Sequence, residues 1–473
     1  MMTRNYSIDD RKKGISVSAN MTGKTNITDM TTGNPLVHIL KFAAPLLIGN
    51  IFQQLYSMVD SVVVGNYVGA NALAAVGTCN SSVFLFFALT SGLAIGMGII
   101  VAQYFGAQKY DYVKKTIANG AYVLVVMSLV VGLLAYLCAP VLLRVLQTPD
   151  EIIGDAITYM RTSAFGILGI ALYNGIAAAL RALGDSKTPL YFLFVSSIVN
   201  IILDLWFVLG FGMGVFGVAL ATVIAQYVSC IACAIYSVKK VPYFQLKKDE
   251  MVPEWSIITN SFRLGVPIAL QNSMIAFSMM VLQGVVNGFG TSVMAAYTVV
   301  ARVELIVQQP YGSLGNAVTN YCGQNMGANK IDRVRMGFKI STIISLIFSI
   351  ALIPVAFVFG HDIIGFFVKE KDVIEIGATA LKINCLCYFP LGMIYVPRAV
   401  LNGCGDAGFA MVNGVTEVAC RIIYSNVLTR IPVIGFWGIW LTTCATYITT
   451  AIICCRRYFK GKWIAKRIAT DNI

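Results

Sequence analysis

Two aspartates stand where a charge is costly. Asp204 lies in the run VNIILDLWF, residues 199–207, four positions after Asn200. Asp60 lies in the equally apolar stretch QQLYSMVDSVVVG, residues 53–65. Residues four apart share one helix face, about 6 Å apart along the axis. Thr222, in GVFGVALATVIAQ, adds a hydroxyl. Brought together, two carboxylates, an amide carbonyl and a hydroxyl make an all-oxygen cluster, the ligand set of a hard cation such as Na+. Two carboxylates at low dielectric can equally share one proton. Either ion relieves the burial cost, and a site that must be neutralised can couple to an ion gradient. The plainer readings are Asn200 as interhelical glue and Thr222 bonded to its own preceding turn.

A second polar set consists of Arg302, Glu304, Glu417 and Arg421. Glu417 and Arg421 are four apart, the spacing of a helix ion pair. Arg302 and Glu304 are two apart, so each needs a partner elsewhere. The expectation here is a structural ion-pair network, with a substrate role as the alternative. GCGD, residues 403–406, matches the GxGD of intramembrane aspartyl proteases, whose second aspartate sits in a YD. The YD here is Tyr110–Asp111, in a basic loop, and the GD recurs at Gly184–Asp185, so a turn explains both copies. Cys230 and Cys233 form a CxxC, but with His38 and His361 the only histidines a zinc site has little support, and the twelve cysteines read as small packing residues. There is no P-loop and no Ser/His/Asp set, so no ATP use, no cofactor and no enzyme activity is expected.

These residues must be positioned by membrane helices. The 473-residue chain is 57% hydrophobic and 12% charged, with mean hydropathy +0.75. Soluble domains carry about 25% charged residues. The apolar runs are continuous rather than alternating, which argues for helices and against a β-barrel. About twelve spans are expected, near 38–65, 71–104, 117–145, 153–182, 189–210, 215–238, 257–289, 293–325, 338–360, 373–401, 408–429 and 434–456. The net charge of +13 gathers in alternate loops and at the C-terminus. That is the positive-inside pattern rather than a nucleic-acid surface, and it puts both termini in the cytoplasm and the protein in the plasma membrane. Arg181, Lys187, Lys330 and Arg333 are among these loop cations.

The chain repeats itself. AQYFGAQKYDYVKK matches GQNMGANKIDRVRM, so Gly106 pairs with Gly327, 221 residues later. Gly184 pairs with Gly405 at the same offset, and Pro45 with Pro267 at 222. Two six-span lobes, 35–238 and 256–457, follow, joined by a charged linker, 239–255. Residues 1–34 are expected to be a disordered cytoplasmic tail, with N-x-[ST] matches at Asn5, Asn20 and Asn26 that read as chance, and 458–473 a basic tail. Two similar bundles with a cleft between them suit transport by rocking. In the second half Asn200 becomes Arg421, Asp204 becomes Ser425, and Asp60 falls opposite Val281 or Leu282, so the oxygen cluster belongs to one lobe. Pro45 kinks span 1 ahead of Gln53, Gln54 and Asp60, which links charge at Asp60 to helix shape. If spans 1, 5 and 6 are neighbours, Asp60, Asp204 and Thr222 reach one depth in the outer half of the bilayer.

The stretches APLLIGNIFQQLYSMVDSVVVGNYVGANALAAVG, VAQYFGAQKYDYVKK, RALGDSKTP, NIILDLWF, GVFGVALATVIAQ and GQNMGANKIDRVR together resemble the MATE (multidrug and toxic compound extrusion) family, near its DinF-like prokaryotic branch. The resemblance covers residues 34 to 457. It implies twelve helices in two lobes around a V-shaped cavity, and export of cationic or amphipathic drugs against inward Na+ or H+. It assigns the coupling ion to Asp60, Asn200, Asp204 and Thr222, and a kink and cavity wall to Pro45 and Gln53. Spans 7 and 10 lack the acids some members carry there. The partners expected are small organic molecules and lipid, with the chain a monomer. A lipid-linked oligosaccharide flippase is the alternative, disfavoured because few cations fall within the spans.

Overall fold

The computed structural model describes residues 26–469. The matches at Asn5 and Asn20, most of the N-terminal tail and residues 470–473 lie outside them. Among the described residues the secondary structure is helical throughout, with no strand. The first half runs α1 (Pro35–Val63), α2 (Ala70–Gly106), α3 (Tyr110–Val145), α4 (Asp150–Ala182), α5 (Lys187–Leu205) and α6 (Gly214–Lys240). The second runs α7 (Trp255–Val286), α8 (Thr291–Gly327), α9 (Ile331–Gly365), α10 (Lys371–Cys385), α11 (Tyr388–Gly403), α12 (Gly408–Leu428) and α13 (Gly438–Phe459).

Every expected span is a helix. Ten are long and apolar enough to cross a bilayer, and α10 with α11 forms an eleventh, bent by 48° between them. The twelfth, α12, falls short in hydropathy because Asn413, Glu417 and Arg421 interrupt its 21 residues. The outward faces are apolar, as lipid demands: Leu133, Leu137 and Val141 on α3 recur every fourth residue and are at least half exposed.

Packing follows the repeat. In each lobe the second and fourth spans pack together, α2 on α4 and α8 on α11, and the first span packs on the fifth, α1 on α5 and α7 on α12. The lobes join where α2 crosses α7 and α8. Small residues make that crossing possible. A Cβ on Gly92 would lie 2.5 Å from Ala269, and one on Gly96 2.6 Å from the Gly265 nitrogen. Close backbone approach of this kind is the main source of helix cohesion in lipid.

The terminal segments correct the expectation of free tails. Residues 26–33 and 462–469 pack against the end of the bundle that carries both termini. Gln103 and Gln324, 221 apart, each reach across to the other lobe. Gln103 Nε2 donates to the Gly403 carbonyl at 3.0 Å, and its Oε1 accepts the Ile468 N–H at 2.7 Å. Gln324 Nε2 donates to the Ala182 carbonyl at 2.8 Å, and its Oε1 accepts the Met30 N–H at 2.8 Å. Arg333 and Lys330 also bond to carbonyls of residues 30–33, so cations read as loop charges hold a strap in place. A Cβ on Gly106 would sit 1.9 Å from the Gln324 carbonyl oxygen, and one on Gly327 1.9 Å from that of Gln103. The lobes are therefore closed on each other at this end.

The GD pairs are turns, as expected. Gly184 and Gly405 have φ of +89° and +91°, and a Cβ would strike Thr28 O or Lys466 O. Asp406 is held by Arg457 through two bonds of 2.8 and 2.9 Å. Asp185 accepts the N–H groups of Lys187 and Thr188 and the Thr188 hydroxyl.

Candidate functional site

Asp60 lies near the far end of α1, one turn before the helix widens into a π-helical turn, Val64–Val68. Asp204 ends α5 in the same way, ahead of a π-helical turn at Trp206–Gly210. Such turns displace backbone bonds and concentrate at functional positions. The second lobe has no π-turn at the equivalent places; α7 ends in a short 3₁₀ turn, Asn287–Phe289.

α5 packs on both α1 and α6, and the π-turn after α1 meets α6, a closeness that a one-dimensional reading had to assume. The Asp60 and Asp204 carboxyls are neighbours, close enough to act on each other. Asn200 Nδ2 approaches Thr222 Oγ1 at 3.5 Å, and Thr222 itself donates to the Val218 carbonyl at 3.1 Å. Tyr56, one turn before Asp60, donates its hydroxyl to Asn200 Oδ1. Asp204 is 1% exposed. Both its oxygens, and Oδ1 of Asp60, are enclosed without a donor. Buried carboxylate oxygens are almost always partnered, because leaving one bare costs its hydration. Three such atoms together make a place where a proton or a hard cation is stabilised. Sequence reasoning missed Tyr56 and the buried Tyr159 of α4, which faces the same carboxylates. The i, i+4 spacing of Tyr56 and Asp60 was a legible signal.

A cavity of about 470 Å³ opens beside the cluster, walled by α1, α2, α4, α5 and α6 with Asn316 of α8. Pro45 and Gln53 line it with Tyr56 and Thr222; Gln54 does not, being exposed on another face. Arg181, read from sequence as a loop cation, sits in the last turn of α4 and lines the cavity.

The second polar set is assembled differently from the ion-pair network expected. Among the described residues no ion pair closes within 4.0 Å between Arg302, Glu304, Glu417 and Arg421. Glu304 accepts from Asn384 Nδ2 at 2.8 Å, and Glu417 from Asn413 Nδ2 at 3.3 Å. Arg421 is 4% exposed and its Nε has no partner, while Arg302 is exposed. Helix spacing brought Glu417 and Arg421 to one face. The amides of Asn413, four residues before Glu417 on the same face, and of Asn384, on another helix, took the carboxylates instead. Arg398, absent from the sequence reading, stacks on Tyr395 at 4.6 Å and is, with Arg421, a cation in the neighbourhood of Glu417.

A family model described as MatE matches residues 45–206 and again residues 267–427, the two halves of the repeat. The chain belongs to the MATE family. MATE relatives align along nearly all of it. The probable multidrug resistance protein YpnP of Bacillus subtilis is 29% identical over 94% of this chain and 99% of its own length. The multidrug export protein MepA of Staphylococcus aureus is 21% identical over 81% and 85%. Among solved structures, a multidrug resistance MATE transporter in an outward-facing conformation shares the fold, with TM-score 0.84 over 93% of this chain and 98% of that one, at 21% identity. A MATE structure in a bent conformation gives TM-score 0.86 over the same shares, also at 21% identity. This protein is thus a multi-pass membrane transporter of the multidrug efflux family, and not an enzyme.

Proposed function

We propose that the protein exports amphipathic organic compounds across the plasma membrane in exchange for inward Na+ or H+, by alternating access of its two lobes. The observation that carries this is the trio of enclosed, donorless oxygens on Asp60 and Asp204 beside a cavity of drug-sized volume. With both termini cytoplasmic, the cluster lies toward the outer surface and loads from outside. The structure is then closed toward the cytoplasm, at the Gln103 and Gln324 crossing. Cation binding discharges Asp60 and Asp204, α1 adjusts about Pro45, and the compound loses its place in the cavity. Coupling requires that ion and compound favour different states or compete for one.

Two other readings are disfavoured by particular residues. A flippase holding a pyrophosphate needs several cavity cations, and this cavity presents Arg181 alone. Proteolysis at Asp406 is blocked by its two bonds to Arg457. The test is efflux of ethidium and norfloxacin from proteoliposomes under a sodium gradient alone, then a proton gradient alone. One gradient should drive transport by the wild type and neither should drive it in Asp60→Asn or Asp204→Asn. Undiminished gradient-driven efflux by both variants would remove the mechanism.

A further inference from the structure

The cavity has an unbalanced charge. Its wall carries amides (Asn50, Gln53, Asn174, Gln226), hydroxyls and aromatic rings, but no carboxylate, and Arg181 is its one formal charge. A site built only for lipophilic cations has no use for a guanidinium. Among the described residues Arg181 forms no ion pair and no hydrogen bond, although a carboxylate stands four residues along the chain. Asp185 is occupied instead by Lys187 N–H, Thr188 N–H and the Thr188 hydroxyl.

The repeat tests whether the fold itself needs this cation. Arg181 corresponds to Asn402, 221 residues on, in the turn that precedes Gly405–Asp406. That turn has the same backbone course, with φ at its glycine of +91° against +89° at Gly184. The second half builds the same helix end without a cation there. Complementing the helix dipole, the ordinary reason for an arginine in a last turn, is therefore not required by this architecture. A second donor points the same way. Asn174 lies two turns before Arg181, on the same α4 face and about 10 Å from it along the axis. Its Nδ2 is enclosed without an acceptor.

Arg181 in the cavity wall and the Asp60/Asp204 cluster beside the cavity are set apart by a measurable length. Thr222 of α6 adjoins the Asp60/Asp204 cluster, and Cys233 of α6 is among the groups acting on Arg181. Eleven residues of helix separate them, about 16 Å. Resting on the reading of this cavity as the substrate site, we propose that Arg181 is the receptor for an acidic group, so that the preferred substrates are elongated aromatic zwitterions. The carboxylate takes the planar fork of Arg181, whose geometry matches it bidentately. An acceptor along the body of the compound meets Asn174. The cationic end faces Asp60 and Asp204, where it competes with the coupling ion, and this competition supplies the differential affinity that exchange requires.

Binding to purified protein and efflux in a pump-deficient host separate this inference from the efflux reading. The probes are norfloxacin, its ethyl ester and ethidium, which carries no acid. The variants are Arg181→Asn, which installs the residue the second half uses at the same place, and Arg181→Lys. Wild type should bind norfloxacin about tenfold more tightly than its ester, the scale of one charge-assisted contact. Arg181→Asn should erase that preference, weaken norfloxacin more than ethidium, and be partly rescued by Arg181→Lys. Equal wild-type binding of acid and ester, or a loss in Arg181→Asn that falls equally on ethidium, would overturn the assignment. Acid-selective binding without efflux of any probe would uphold Arg181 and sink the efflux reading instead.

Discussion

The two lobes share one helical plan and differ in what they bury. Near the far end of the first, α1 and α5 place Asp60 and Asp204 together, each ahead of a π-helical turn. The second puts Val281 or Leu282 and Ser425 at the matching positions, with Arg421 in place of Asn200. Thr222 and Thr443, 221 apart, keep one common habit, a bond back to their own helix at 3.1 and 3.5 Å. That bond belongs to the fold. The carboxylates do not, because the same fold is built without them. Among the described residues, enclosed carboxylate oxygens without a donor occur in this lobe alone, which is the physical case for a function there. At the end that carries both termini the lobes are instead alike: Gln103 and Gln324, Gly106 and Gly327, and the two terminal straps repeat the same contacts in mirror roles.

This contrast can be broken in several ways. The largest effect belongs to the asymmetric site. Asp204→Asn should cut gradient-driven efflux about tenfold or more, a coupling of ~1.4 kcal/mol, while Ser425→Ala, at the matching place, stays within about twofold. Comparable losses in the two variants would show that the lobes share the work. Next come the crossing glycines. Gly106→Val and Gly327→Val each force a side chain into backbone 1.9 Å away. Each should cost about 3 kcal/mol, read as a lowered melting temperature in detergent, and the two drops should match. Gln103→Leu and Gln324→Leu each strand a carbonyl and an N–H, at about 2 kcal/mol. If only one of the pair destabilises, the straps are not equivalent.

The smallest effect lies in the linker between the lobes, where Glu250 pairs with Lys114 at 3.0 Å. Burial alone would raise this glutamate, but the Lys247 N–H and the Lys114 ammonium outweigh it and hold its carboxyl below the usual 4.5. A depressed carboxylate contributes stability above its unfolded pKa and loses it as pH falls through the folded one. The pair should therefore add about 0.5 kcal/mol at neutral pH and fade below pH 4.5. A Lys114→Met variant with the wild-type melting profile between pH 7 and 3 would contradict that.

Part of the site was legible because helix periodicity is one-dimensional. The spans, the repeat, the shared face of Asn200 and Asp204 and the equal depth of Asp60 and Thr222 all follow from counting residues. Tyr56 was within the same reach, one turn before Asp60. Other residues were not. Glu417 has Asn413 four residues before it and Arg421 four after, and spacing does not say which one it takes; the carboxylate turned to Asn413. Arg181 read as a loop charge, because nothing in sequence says which way the last turn of a helix faces. Met30 and Ile468 read as tail, because their partners lie 294 and 365 residues away.

By itself, then, the sequence settled that this chain spans a membrane in two repeated halves, because lipid forces apolar length and a duplication leaves a constant offset. It also settled that one half alone carries aspartates within its spans. Which helices stand side by side was decided by packing: glycines let α2 pass against α7 and α8, and that contact closes one end and leaves a cavity in the first lobe. Lateral neighbours depend on the complementarity of surfaces far apart in the chain, and no local period encodes them.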